Sequence, residues 1–170
     1  YIWKKRLRPR RMVRFAATCD EEKGGTGARR FLESGLFGQP DFLLIGEPTN
    51  GMLGVAQKGC LWLLVSVKGR TAHGAYPGMG INAAEAGFAF CQQVKELVGR
   101  YGHPLLGQAT ATITRVQAGV ADNMVPDAAS FVLDIRCVPV ISHRELLAQL
   151  EELRDACVRA AGGLEIHLSI

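Results

Sequence analysis

No apolar run in these 170 residues approaches the roughly 18 needed to cross a bilayer as a helix, and no secretory-leader pattern opens the chain. A cytoplasmic protein without a membrane partner is therefore expected. The five cysteines are odd in number and contain no C-x-x-C pair, which excludes a disulfide framework or a structural zinc knot and fits a reducing compartment. Histidine is scarce, four in all, with none before His73. Aromatic residues make up only 7%, and the runs 61–67 and 129–138 lack the paired rings with which a sheet reads RNA. Acids are missing from the first 14 residues, which hold seven basic groups: Lys4, Lys5, Arg6, Arg8, Arg10, Arg11 and Arg14. With those seven set aside from the 20 Lys and Arg, 13 basic groups face 16 acidic ones, so residues 15–170 carry −3 within a net +4. Only Trp3 offers that arm a stacking ring, so no nucleic-acid partner is expected. The chain opens on Tyr1 without a methionine, as an internal piece of a longer protein would.

What is present is an acidic run at the end of an apolar one. Met12 to Ala17 reads as a short buried strand, and Thr18-Cys19-Asp20-Glu21-Glu22 follows it, with Gly24, Gly25 and Gly27 forming a turn. Asp41 to Gly46 is a second apolar run ending on Glu47 and Pro48. In open α/β sheets, chemistry collects at the carboxyl ends of strands. Adjacent glutamates on an extended backbone project to opposite sides, so one could hold a metal while its neighbour faces a water. That division suits metal-assisted hydrolysis, with Glu47 as a further oxygen ligand. The competing reading, a solvated pair of acids, is the default for charged residues.

The elements follow in order. Ala28 to Leu36 is helical in spacing, with Phe31, Leu32 and Leu36 apolar and Gly35 and Gly38 ending it. With the flanking runs this predicts a βαβ unit. The character changes near residue 59. Leu61, Leu63, Val65 and Val67 alternate as a strand, and a Gly/Pro loop from Gly69 to Gly80 carries His73. A helix starts at the N-cap Asn82 with Glu85 three places on and an apolar stripe of Phe88, Cys91, Val94 and Val98. Ala109 to Val116, with Thr110, Thr112 and Thr114 on its wet side, and Ala129 to Val138 are strands. The capping box Ser142 to Glu145 opens a helix with Leu146, Leu150, Leu153 and Cys157, and Leu164 to Ile170 alternates as a last strand. From Cys60 on, the order β-α-β-β-α-β is that of a ferredoxin-like domain. The expected division is thus a partial α/β domain over 1–59 and an α+β domain over 60–170.

Taken together, Thr18 to Ala28, Gly46-Glu-Pro-Thr49, Lys58-Gly59, Gly69-Arg-Thr-Ala-His-Gly-Ala-Tyr-Pro77, Gly80-Ile-Asn-Ala83, Gly119 to Pro126 and Asp134-Ile-Arg136 with Pro139 resemble the acetylornithine deacetylase and succinyl-diaminopimelate desuccinylase family. This is the co-catalytic zinc group that includes carboxypeptidase G and the aminoacylases. The resemblance runs from about Met12 to the end and makes the two parts a partial catalytic domain and a lid or dimerisation domain.

The resemblance implies a metal-dependent hydrolase that cleaves the amide bond of an N-acyl amino acid or small peptide. It makes Glu21 the general base and Glu22 and Glu47 ligands in a pair of zinc ions, with cobalt or manganese as alternatives. His73 matches a lid histidine that reaches the oxyanion in a partner's active site across a homodimer. Asn123 and Arg136 match positions that hold substrate. By themselves, His73 in a Gly/Pro loop, Asn123 in a turn and Arg136 at a strand end also read as a surface residue, a turn former and a solvated charge. The family supplies further ligands, a His-x-Asp histidine with a bridging aspartate and a late histidine, from segments this chain lacks. The isolated chain is therefore expected neither to hold two zinc ions tightly nor to turn substrate over, and a non-catalytic dimerisation fragment is the competing reading.

Overall fold

The computed structural model describes residues 4–170, so Tyr1 and Trp3 lie outside the described residues. Two compact units divide the chain, one ending at Gly51 and one spanning Met52–Ile170.

The first unit has one helix, α1 (Thr26–Glu33), preceded by a single 3-10 turn over Glu21–Lys23. The apolar runs 12–17 and 41–46, read above as strands of a βαβ unit, form no ladder. The physical reason is the shortage of partners: a parallel strand is stable with neighbours on its edges and cover on both faces. Here Phe15 is 92% exposed and Phe42 94%. Arginine side chains connect the segments instead. Arg14 donates to the carbonyls of Leu36 (2.6 Å) and Phe37 (3.2 Å), and Arg11 pairs with Asp41 at 2.7 Å. Phe31 and Phe37 meet edge to face, 5.9 Å between centroids. Among the described residues up to Gly51, none is buried.

The second unit is a four-stranded antiparallel sheet with two helices. Its strands are β1 (Gly59–Lys68), β4 (Thr110–Ala118), β5 (Ala128–Cys137) and β6 (Glu165–Ser169), and a two-residue hairpin, β2 (Gly102–His103) with β3 (Gly107–Gln108), lies apart from that sheet. The helices are α2 (Ala83–Val98) and α3 (His143–Ala160). The sheet order β4-β5-β1-β6 puts the two long, alternating strands in the centre. This is the β-α-β-β-α-β arrangement expected from the sequence. Period-two alternation turns Leu61, Leu63, Val65 and Val67 of β1 and Phe131, Leu133 and Ile135 of β5 into one buried face. Phe90, Cys91, Val94 and Val98 of α2 and Leu146 and Leu150 of α3 complete the core with them. Burial pushes the Cys91 thiol up to about 12.

Both helix starts are as the sequence predicts. The Asn82 side chain accepts from the backbone N–H groups of Ala84 and Glu85, and Ser142 and Glu145 form a reciprocal capping box. Two details differ. In α2, Phe90 is fully buried whereas Phe88 is half exposed, its ring edge-on to Phe131 at 5.0 Å. In β4, a bulge between Ile113 and Arg115 breaks the alternation, so residues 114–118 are all exposed. Thr110, Thr112 and Thr114 do face water, as expected.

Candidate functional site

The acidic run is built by backbone conformation. Asp20 adopts a left-handed conformation (φ 59°), as do Gly24 (φ 100°) and Gly25 (φ 65°), and the Gly25 N–H donates to the Asp20 carbonyl at 2.7 Å. This closes the chain into the 3-10 turn that holds Glu21 and Glu22. Their backbone is therefore not extended, and the expected opposite projection is replaced by one of about 120°, the angle per residue of a three-residue turn. Adjacent positions on such a turn lie on different sides of it. Glu21, Glu22 and Glu47 are all exposed. Among the described residues, no three of His, Cys, Asp and Glu come together in a way that could hold a metal ion. Three exposed carboxylates with no imidazole before His73 do not by themselves fit zinc, whose sites favour nitrogen and sulfur donors.

The second unit builds a second set of groups. Residues 70–81 form a closed loop because Arg70 and Ile81 exchange backbone hydrogen bonds (3.0 and 2.7 Å). The 119–126 turn braces it. The Gly74 N–H donates to the Asn123 carbonyl at 2.7 Å and the Val125 N–H to the Ala72 carbonyl at 2.8 Å, so His73 and Met124 form a bridge. A Cβ on Gly74 would come within 3.2 Å of that Asn123 oxygen, a tight contact. His73 and Asn123, fifty residues apart in sequence, thus share one corner of the unit. The His73 ring is exposed, and its Nδ1 accepts from the Ala75 N–H at 3.1 Å. An accepting Nδ1 leaves the neutral ring's proton on Nε2, an outward-facing donor that needs no imidazolium. Tyr76 stands beside it, ring centroids 6.4 Å apart.

Arg136 is elsewhere. It sits eight residues along β5 from Ala128, about 27 Å at the rise of a strand, and so at the opposite end from the 119–126 turn. Within one copy of the unit, a small molecule cannot touch Arg136 and the His73 and Asn123 corner together. Its guanidinium is bound to Asp134 through both oxygens, with Nε to Oδ1 and Nη2 to Oδ2 each 2.7 Å. That hydrogen bond is the main reason the Arg136 pKa is raised above its ordinary value. The partnership is legible in the sequence, since strand residues two apart share a face.

Over residues 55–158 the chain matches the model of the peptidase dimerisation domain. The chain belongs to that family. It is 32% identical over 171 residues to an acetylornithine deacetylase of Vibrio campbellii, covering 96% of this chain and 44% of that protein. A second acetylornithine deacetylase, from Myxococcus xanthus, is 31% identical over 159 residues, covering 90% and 42%. The chain thus spans less than half the length of these curated relatives. A hydantoinase/carbamoylase family amidase from Burkholderia ambifaria shares the fold, with a TM-score of 0.54 at 24% identity over 68% of this chain and 28% of that one. For a peptidase dimerisation domain, the chain carries its fold in the second unit and leaves the acids in the first.

Proposed function

We propose that this chain is part of a zinc-dependent amidohydrolase that removes the acyl group from an N-acyl amino acid or small peptide and works as a homodimer. The lid would occupy residues 60–170, and residues 1–59 would belong to the catalytic domain. The observation that carries the reading is the extent of the likeness to acetylornithine deacetylases, which reaches across 96% of the chain and so includes both the acidic turn and the lid corner. In this reading Glu21 takes the proton of the attacking water, a role worth about 10²–10⁴-fold in rate. Glu22 and Glu47 would hold metal through their carboxylates, together with ligands from other segments of the protein, and cobalt or manganese could replace zinc. Metal of this kind lowers the pKa of water.

His73 donates from Nε2 to the oxygen that gains charge as the amide is attacked, and Asn123 holds substrate beside it. A donor of that kind is worth about 2.7–4 kcal/mol. Arg136 grips the substrate carboxylate. The separation of about 27 Å along β5 supports a dimer in which the His73 and Asn123 corner of one lid and the Arg136 end of the other serve the same site. Five free cysteines support a reducing, cytoplasmic setting.

The test uses the longer protein. Glu21→Gln is expected to keep its metal content and lose at least a hundredfold in kcat, and unchanged kcat would remove Glu21 from the base role. The family match favours one second reading, a dimerisation module without activity of its own. Sedimentation of the longer protein beside a deacylase assay separates the two, since a dimer that hydrolyses no N-acyl amino acid would favour the second.

A further inference from the structure

On the sheet face opposite the helices, Asp134 and Arg136 form a bidentate pair whose two oxygens and two nitrogens meet at 2.7 Å. An arginine has five N–H groups. Asp134 Oδ2 accepts a hydrogen bond from Nη2, and Oδ1 lies beside Nε as an ion-pair contact, so the carboxylate covers the side-on edge of the fork. The remaining three, two on Nη1 and one on Nη2, lie along its end. The two partners are unequally exposed, the Asp134 side chain at 23% and Arg136 at 48%. The Oδ1 atom of Asp134 has almost no accessible surface and receives no well-aligned hydrogen bond, although Nε lies at ion-pair distance. An arginine that left this carboxylate would strand a desolvated oxygen, which is strongly unfavourable. Cross-strand, Asp134 faces Trp62 and Thr112, and Arg136 faces Cys60 and Thr110, so no second carboxylate at those positions competes for the fork.

We infer that Asp134 is a positioning residue for Arg136, holding the guanidinium side-on so that its free end is presented to the carboxylate of the ligand. The inference rests on the proposed role of Arg136 in gripping that carboxylate. Its sign is distinctive. Charge counting alone predicts that neutralising Asp134 would help an anionic ligand by removing repulsion, whereas loss of positioning weakens binding.

The experiment compares, in the full-length protein, an N-acetyl amino acid that it hydrolyses with the α-carboxamide of the same compound. Asp134→Asn is expected to raise KM for the acid about tenfold, leave kcat within twofold and leave the carboxamide unaffected. Added to Arg136→Ala, it should cost nothing further, because the two act as one unit. An unchanged or lowered KM for the acid in Asp134→Asn, full additivity, or equal losses for acid and carboxamide would each overturn the inference. If Arg136→Ala leaves KM for the acid unchanged, the role of Arg136 itself falls. If Asp134→Asn folds poorly, Asp134→Glu serves in its place. The longer carboxylate displaces the fork and should raise KM for the acid alone, and an unchanged KM would again overturn the inference.

Discussion

Single positions decide how closely the lid packs. Gly87 lies on the buried face of α2, where a Cβ would sit 2.1 Å from Cε2 of Phe131. In an exposed helix, Gly→Ala gains up to about 1 kcal/mol from propensity. Here the clash dominates, since overpacking costs about 1–3 kcal/mol. Gly87→Ala is expected to lower the thermal midpoint of the 52–170 unit, and a raised midpoint would show that Phe131 can move away at little cost. The sequence marked Phe88 for the core because it shares a helical stripe with Cys91. In the structure Phe90 fills the interior and Phe88 lies edge-on to Phe131 at its rim. The helical period distinguishes the two, because Phe90 stands four residues before Val94 and eight before Val98 on the buried stripe, whereas Phe88 stands six and ten before them. At His73 the sequence supplies an imidazole in a loop, and the Ala75 N–H fixes which nitrogen carries the proton.

Elements were the most legible level. The caps of α2 and α3 are local chemistry, with donor and acceptor within three residues of each other, and they form as the sequence predicts. Asn82→Ala should cost about 1 kcal/mol of stability by denaturant titration. The α3 cap adds a pH dependence. Hydrogen bonds from the Ser142 hydroxyl, and then from its backbone N–H, hold the Glu145 pKa below its ordinary value. A carboxylate with a folded pKa below the unfolded one stabilises fully above the unfolded value and loses that contribution as pH falls through the folded value. The stability difference between wild type and Glu145→Gln should therefore be present at neutral pH and close in acid. A difference independent of pH would show that the charged cap contributes nothing. The apolar runs 12–17 and 41–46 mark the limit of this level. Their composition is that of buried strands, but a strand exists only with a partner, and no ladder forms on either.

The whole molecule is unequal in its two parts. Every residue of the buried core lies between Leu61 and Ile166, and among the described residues up to Gly51 none is buried. Residues 52–170 are expected to fold alone, with cooperative unfolding and dispersed amide resonances, whereas a peptide of residues 1–51 should show neither. A cooperative transition in the short peptide, or its absence in 52–170, would contradict this. The sequence by itself determined the ferredoxin-like order, the alternating faces of β1 and β5 and the capped helix starts. Each follows from spacing, propensity or a donor and acceptor a few residues apart. Only the tertiary structure decided which groups meet. It closes His73 against Asn123 across fifty residues, sets Arg136 at the far end of β5, about 27 Å from Ala128, and commits its guanidinium to Asp134. Sheet register and loop closure fix those distances, and they join segments remote in sequence. The acidic turn shows the same division. The glycines after Glu22 forecast a tight turn, and the 3-10 turn over Glu21–Lys23 then set the angle between Glu21 and Glu22.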